Sequence, residues 1–199
     1  MSYINSLKAD KKLSVILYDD VFTLTQHKNI SLRLMHAIMS QQLSTKVAMV
    51  FRERFHGLCG SDNPTVQKVL SVSYEQLRSI GLSHAKAMYI HNVARFCLEQ
   101  SLTDKKLAGK SNEDIIALLT QIKGVGQWTV EMLLMFSLGR EDVFPTDDLG
   151  IQQAMIKLYG IKAGNKKELQ LKMQRIAEKW RPYRTYACLH LWAWKDGGA

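Results

Sequence analysis

The sequence predicts an all-α protein, and three observations lead to that prediction. Apolar residues recur at three- and four-residue spacing in many segments, which is the pattern of amphipathic helices. Side chains that favour helix N-caps stand just before several of these segments. We find no convincing alternation of apolar and polar residues bounded by turn signals, the pattern that marks strands. With 199 residues, 46% of them hydrophobic, the chain is long enough to bury a sizeable core.

The first helices lie in the N-terminal part of the chain. A short helix is expected around residues 7–17. Ser31 is a favourable N-cap for the next helix, which the polar segment 40–44 interrupts. Ser44 can cap the helix that follows, which is expected to end near residues 57–60 because two glycines stand there.

Two more helices are expected in the middle of the chain. Ser73 and Gln76 have the spacing of a capping box at the start of one helix. The segment 81–83, Gly-Leu-Ser, ends that helix and caps an amphipathic helix over residues 86–97. We expect Lys86, at its start, to be a solvated charge.

A helical hairpin is expected after the basic connector 103–110. Ser111 can cap its first helix, and the turn contains Gly124 and Gly126. The second helix is expected to start near Gln127. The first helix has an apolar face of Ile115, Ile116, Leu118, Leu119 and Ile122.

Three helices are predicted in the C-terminal part. Apolar residues recur over 149–158, and a second periodic segment covers 166–180. The last helix follows Pro182, a residue that suits a first helical turn.

The turn of the hairpin has the composition of a phosphate site. The first N–H groups of a helix have no internal partner, and the helix dipole adds positive charge there. Gly124 and Gly126 would let a phosphate approach the backbone, Lys123 places a cation beside it, and Val125 can plug the turn into the core. An ordinary connection between two helices explains Gly-x-Gly about equally well.

An acidic pair, Asp147-Asp148, precedes the helical segment 149–158. A carboxylate at this position is a candidate functional group near a helix N-terminus. Helix capping is the competing explanation for either residue, because Asp is a favoured N-cap.

The charge balance favours a polyanionic partner. The formal net charge is +9, which favours nucleic acid first. The three cysteines are scattered, so neither a structural zinc site nor an iron–sulfur cluster is expected, and a reducing compartment is indicated. Because the sequence contains no long apolar run and no signal peptide, we expect an intracellular protein that is not bound to a membrane.

Two motifs together resemble the helix-hairpin-helix DNA glycosylase superfamily. They are Leu-x-x-Ile-Lys-Gly-Val-Gly-Gln-Trp-Thr at 119–129 and Asp-Val-Phe-Pro-Thr-Asp-Asp-Leu-Gly-Ile at 142–151. The match is closest to the 3-methyladenine DNA glycosylases of the alkylation-repair branch, and it extends over about residues 30 to 194. The resemblance implies one domain of two helical lobes with the active-site cleft between them. One lobe would be 31–146, with the hairpin near 112–138, and the other 1–30 plus 147–199.

The resemblance also implies roles for individual residues. Asp148 would be the catalytic carboxylate and Asp147 its cap or supporting partner, with the reverse assignment as an alternative. The base pocket would contain Trp128, Met132, Leu149 and Trp192. Lys123, Gly124, Val125 and Gly126 would bind the DNA backbone. Gln42, or else Leu43, would enter the duplex where the base has left.

The activity implied is removal of alkylated purines, of the 3-methyladenine and 7-methylguanine type, from double-stranded DNA. Related bifunctional enzymes carry a lysine where this chain has Trp128, so a monofunctional enzyme that leaves an abasic site is expected. Met132 and Leu149 replace aromatic residues of some relatives, which puts the substrate range in doubt.

Two other functions remain open: a non-catalytic helix-hairpin-helix protein that binds damaged or bent DNA, and a glycosylase for deaminated or mispaired bases. We expect a monomer with no catalytic metal or other cofactor. Relatives suggest that backbone carbonyls of the hairpin can hold a monovalent cation.

Overall fold

The all-α prediction is confirmed by the computed structural model, which describes residues 3–18 and 22–197. No strand occurs among these residues. A short 3-10 helix, Leu13–Ile16, follows α1 and another, Glu178–Trp180, follows α11. The α-helices are α1 Tyr3–Leu7, α2 Ile30–Ser40, α3 Thr45–Cys59, α4 Val66–Ser71, α5 Tyr74–Ser79, α6 His84–Glu99, α7 Asp104–Ala108, α8 Asn112–Leu119, α9 Gln127–Phe136, α10 Leu149–Tyr159, α11 Lys166–Ala177 and α12 Arg184–Lys195.

The helices form two compact units. One is continuous, residues 26–138, and contains α2 to α9. The other joins the N-terminal stretch before residue 26 to residues from 139 onward, and contains α1 and α10 to α12. The prediction from the sequence had its boundaries at 30/31 and 146/147, so the helical hairpin and the acidic pair fall in different units in both divisions. No helix in the described ranges is long and apolar enough to cross a membrane.

Most of the predicted N-caps are confirmed. The side chains of Ser44, Ser83 and Ser111 each accept a hydrogen bond from a backbone N–H in the first turn of α3, α6 and α8. Ser73 and Gln76 form the complete capping box at the start of α5. These caps were predictable because they depend on neighbours within three residues.

The start of α2 was predicted wrongly. Asn29, and not Ser31, is the N-cap, and its side chain accepts a hydrogen bond from Leu32 N. Asp104 fixes this start from a distance, because its carboxylate accepts from Asn29 N at 2.7 Å and Ile30 N at 2.9 Å. Asp104 is the first residue of α7, a helix inside the segment that we expected to be a connector.

The N-terminal helix was also predicted wrongly. In place of the helix expected over 7–17, α1 ends at Leu7 and a 3-10 helix begins at Leu13, with Asp10 in the break between them. One oxygen of Asp10 accepts from the backbone N–H groups of Lys12 and Leu13, at 3.0 and 3.3 Å. An Asp side chain that binds its own backbone in this way competes with the helix. The last helix, α12, begins two residues after Pro182, so that proline is not in its first turn.

Asp10 also connects the N-terminal stretch to the C-terminal part of the discontinuous unit. Its other carboxylate oxygen accepts from Tyr159 Oη at 2.6 Å and Trp180 Nε1 at 2.9 Å, and pairs with Lys179 Nζ at 2.9 Å. The residue is only 4% exposed. Burial by itself raises the pKa of Asp10, but the hydrogen bonds from Tyr159, Lys179 and Trp180 outweigh it and lower the pKa to about 2.

In the continuous unit, helix α6 packs against the hairpin turn between α8 and α9. Gly124 has φ +104°, and a Cβ there would lie 2.1–2.5 Å from ring atoms of Tyr89. Asn92, one turn further along α6, donates from Nδ2 to Lys123 O at 3.1 Å. Val125 is buried, as predicted. The turn is therefore fixed by its own core residue and by two side chains of one neighbouring helix.

Asp10→Asn should lower the free energy of unfolding at pH 7 by about 2 kcal/mol, because it removes the charge that three donors stabilise. In the folded protein the pKa of Asp10 is below its ordinary value. The stability that the Asp10 carboxylate contributes is therefore present above pH ~4 and is lost as the pH falls toward 2. Urea unfolding at pH 7 and at pH 3 should show a smaller difference between wild type and variant at the lower pH. Asp196→Asn, at an exposed position of the same unit, is the control. A pH-independent difference would contradict the role given to the Asp10 charge.

Gly124→Ala should destabilise the protein by about 2 kcal/mol or more, because it combines a positive φ with a clash against the Tyr89 ring. Gly126→Ala should change stability by less than about 1 kcal/mol, since Gly126 has φ −90° and its Cβ would meet open space. Thermal unfolding of the two variants measures the difference. Equal losses would contradict the packing of Tyr89 on Gly124.

Candidate functional site

Asp148 is the N-cap of α10 and is held by two donors on one oxygen. Its Oδ1 accepts from Ile151 N at 2.8 Å, the capping bond, and from the indole Nε1 of Trp192 at 2.9 Å. The side chain is 9% exposed. The carboxylate therefore has a fixed orientation at a helix N-terminus, where the helix dipole favours negative charge.

Gly150 makes the approach of Trp192 to Asp148 possible. A Cβ at Gly150 would lie 3.0 Å from the Trp192 ring and 3.1 Å from Asp148 Oδ1. Any larger residue would have to displace one of them. The glycine two residues after Asp148 is thus required by the packing of Trp192 against Asp148.

Helix α12 fixes the chain segment that leads to Asp148. The Arg184 guanidinium forms a forked ion pair with Asp142, and the Thr185 hydroxyl donates to Arg140 O at 2.7 Å. The same hydroxyl accepts from Val143 N at 3.0 Å, and Tyr186 Oη donates to Glu141 at 3.0 Å. The first turn of α12 holds residues 140–143, and its third turn supplies the Trp192 indole.

Asp147 has a different environment, and the expectation that it caps the helix is wrong. Its carboxylate is 41% exposed, pairs with Lys166 Nζ at 2.6 Å and accepts from Gln170 Nε2 at 2.8 Å. Both partners belong to α11. The two neighbouring carboxylates were equivalent as cap candidates in the sequence, and the backbone direction at the start of α10 distinguishes them.

The four residues predicted for the base pocket differ in exposure. Trp128, in the first turn of α9, is 43% exposed and so is not a core-filling side chain. Leu149 is 66% exposed. Met132 and Trp192 are half-buried. Trp128 and Met132 lie in the continuous unit, and Leu149 and Trp192 in the other, where Trp192 donates to Asp148.

The hairpin presents the backbone of Gly126 and the side chain of Lys123 at the surface. Gly126 is the N-cap of α9 and has no side chain to satisfy the first N–H groups of that helix. The two glycines differ in backbone conformation. Gly124 adopts the positive φ, whereas the backbone of Gly126 suits any residue.

The junction between α2 and α3 forms a tight turn over residues 41–43, which we call the wedge turn. Gln42 is exposed and has φ +58°, a left-handed conformation that is uncommon for a residue with a side chain. Leu43 is half-buried. Lys86 donates from Nζ to Met39 O at 2.9 Å and to Gln41 O at 2.7 Å. The expectation that Lys86 is simply a solvated charge is wrong.

The hairpin has the chemistry of a weak monovalent-cation site. The available ligands are neutral backbone carbonyls, of which Ile122 O already accepts from Val125 N and Lys123 O accepts from Asn92. A cation there would order the turn and take no part in bond breaking. The part of the chain that the structure describes contains no group of three His, Cys, Asp or Glu side chains that could hold a metal ion.

Sequence reasoning missed the residues whose hydrogen-bond partners are distant in the sequence. Lys86, Arg184 and Thr185 contact segments more than 40 residues away. Their own neighbours in the sequence carry no signal of these contacts. The bond from Trp192 to Asp148 was missed for the same reason, although the residue itself was selected.

Comparison with known proteins identifies the family of this chain. Residues 35–182 match the family model described as HhH-GPD superfamily base excision DNA repair protein. A putative DNA-3-methyladenine glycosylase of Bacillus subtilis is 33% identical over 165 residues, which cover 80% of this chain and 56% of that relative. The chain therefore spans little more than half the length of that relative.

Two solved structures superimpose on most of the chain. The crystal structure of a DNA-3-methyladenine glycosidase from Bacillus halodurans is 34% identical, with a TM-score of 0.86, and the match covers 99% of this chain and 90% of that one. The 3-methyladenine DNA glycosylase Mag1 of Schizosaccharomyces pombe, in complex with abasic DNA, is 31% identical with a TM-score of 0.80. That match covers 97% of this chain and 96% of the other. This chain belongs to the HhH-GPD superfamily of base excision DNA repair proteins, in the branch of the 3-methyladenine DNA glycosylases.

Proposed function

We propose that this protein is a monofunctional DNA glycosylase that flips alkylated purines out of double-stranded DNA and hydrolyses their N-glycosidic bonds. The observation that carries the proposal is the fixed carboxylate of Asp148, held by Ile151 N and by the Trp192 indole. Similarity to proteins named 3-methyladenine DNA glycosylase supports the same reaction and the alkylated substrate class. The protein works as a monomer where the cell keeps its DNA.

Asp148 acts on the sugar and not on the base. As the glycosidic bond breaks, positive charge develops on C1′ and the ring oxygen of the deoxyribose, as in other glycoside hydrolyses. A carboxylate with a fixed orientation stabilises that charge and can orient the attacking water. The two donors on Oδ1 keep the carboxylate in place, so the site needs little reorganisation during the reaction.

Trp128 explains why the reaction stops at the abasic site. An indole has no amine, so this side chain cannot form the Schiff base with the sugar that strand cleavage requires. Its half-exposed aromatic face can attract a cationic base, an interaction of about 0.5–2 kcal/mol. Because 3-methyladenine-type bases carry positive charge, they are also good leaving groups. Met132, Leu149 and Trp192 complete the proposed base pocket.

DNA is bound mainly through its phosphates. The N-terminus of α9, where Gly126 contributes no side-chain cap, and the Lys123 ammonium form the anion site, and the net charge of +9 adds long-range attraction. Gln42, at the exposed tip of the wedge turn, fills the space that the extruded base leaves. Leu43 is half-buried, which favours Gln42 for this position.

Asp148→Asn should reduce single-turnover release of 3-methyladenine or 7-methylguanine from methylated duplex DNA by about 100-fold or more. The amide oxygen can still accept from Ile151 N and Trp192, so the cap, the fold and DNA binding should persist. Asp147→Asn is the matched control, because it removes an exposed ion pair with Lys166 and should leave the rate within about threefold.

The rates of these two variants and of the wild type show which carboxylate is catalytic and whether the protein is a glycosylase for alkylated purines. A loss with Asp147→Asn and not with Asp148→Asn would reverse the assignment of the two carboxylates. If the wild type releases no base yet binds the methylated DNA tightly, the protein is a non-catalytic DNA-binding protein or acts on another lesion.

Gly126→Asp should weaken duplex binding about tenfold at low salt, because it places an anion where a phosphate must approach. Gly126→Asn is the control of the same size, since both side chains suit an N-cap and only one is charged. Fluorescence anisotropy over a series of salt concentrations should show the gap between the two variants closing as salt rises. Equal affinities at low salt would contradict the assignment of the hairpin as the phosphate site.

A further inference from the structure

The wedge turn depends on an unusual contact at the end of α2. The last carbonyls of a helix have no partner within the helix. Here Lys86 reaches from the first turn of α6 and donates to two carbonyls at that end, Met39 O and Gln41 O. Burial lowers the pKa of the Lys86 ammonium from its usual range, which agrees with a charge that is partly removed from water.

The contact is made where the backbone is strained. Gln41 directly precedes Gln42, whose φ of +58° is unfavourable for a residue with a Cβ. Backbone N–H groups in the turn donate from Gln41 to Ile38 O at 3.3 Å and from Leu43 to Ser40 O at 3.2 Å. On its other side Arg52 donates to the Ser40 hydroxyl at 2.7 Å. Two cationic side chains from neighbouring helices therefore bind the residues that lead into the left-handed Gln42.

The same helix that supplies Lys86 also fixes the hairpin. Tyr89 packs on Gly124, and Asn92 binds the carbonyl of Lys123. Lys86 and Asn92 are six residues apart, about 9 Å along a helix axis. Helix α6 thus contacts both the wedge turn and the hairpin turn over less than two turns, and all of these residues lie in the continuous unit.

We propose that Lys86 is a positioning residue for base extraction, and that it holds the wedge turn in its left-handed conformation at a fixed separation from the hairpin. Because Lys86 and the hairpin contacts share α6, DNA that is anchored at the hairpin phosphate site meets a wedge that is already formed. Lys86 itself touches neither the base nor the sugar. This inference rests on the proposed function, since it assigns a step in the same reaction.

The proposal separates base extraction from bond breaking. Without Lys86, the turn is free to relax from its strained conformation and must be ordered again when DNA binds. The free energy needed to order the turn would slow the extrusion of a base from a stacked duplex and would not affect the chemistry at C1′. A base in single-stranded DNA needs no wedge, so its release should not depend on Lys86.

The test compares Lys86→Met with Lys86→Arg on duplex and on single-stranded methylated DNA of the same sequence. Lys86→Met keeps an unbranched side chain that is one atom shorter and has no donor, and it should slow single-turnover base release from the duplex tenfold or more. Release from single strands should stay within about twofold of wild type. Lys86→Arg, which keeps the charge and the donors, should restore most of the duplex rate. Lys105→Met, an exposed lysine in α7, controls for the loss of one positive charge.

Two results would overturn the proposal: an unchanged duplex rate in Lys86→Met, or equal losses on duplex and single strands, which would indicate a general loss of folded protein. A second readout needs no catalysis. The fluorescence of 2-aminopurine beside an abasic site reports unstacking when protein binds, and Lys86→Met should reduce the wild-type change at saturating protein. If wild type binds this DNA but excises no base, the proposed function fails, and the fluorescence still decides whether Lys86 positions the wedge.

Discussion

The open hydrogen-bonding groups at helix ends are the constraint on which the rest of this structure depends. A helix leaves its first N–H groups and its last carbonyls without internal partners, and these groups must be satisfied if they are buried. At the start of α10 the partner is Asp148, at the end of α2 it is Lys86, and at the start of α9 Gly126 provides no side chain at all. Each of these three ends coincides with a part of the proposed DNA-repair site.

Capping and catalysis are not alternatives at Asp148. The sequence offered them as competing explanations, yet one carboxylate can do both because the cap uses Oδ1, which also accepts from the Trp192 indole. The capping bond fixes the side chain, and a fixed carboxylate is what electrostatic stabilisation of a cationic sugar requires. Gly150 allows this arrangement by leaving room for the indole. Asp147, one residue earlier, points to α11 and pairs with Lys166 instead.

The continuous unit combines a rigid anchor with a strained turn. Tyr89 and Asn92 hold the hairpin, Lys86 holds the wedge turn, and all three project from α6. Helix α6 therefore supports both turns to which the proposed function assigns phosphate binding and base extraction. Trp128, half-exposed beside the hairpin, belongs to the same unit, and its exposure agrees with the proposed role in the base pocket.

The sequence by itself determined most of the helices, most of their caps and the family, because these depend on spacings within a few residues or on a few contiguous motifs. Ser44, Ser73, Ser83 and Ser111 were predictable as caps for that reason. Only the tertiary structure decided which carboxylate caps α10, where α2 begins and what Lys86 binds. Those outcomes depend on Trp192, Asp104 and Gln41, each far away in the sequence from the residue that it contacts. No local pattern encodes such pairs, since they arise when separate helices pack together.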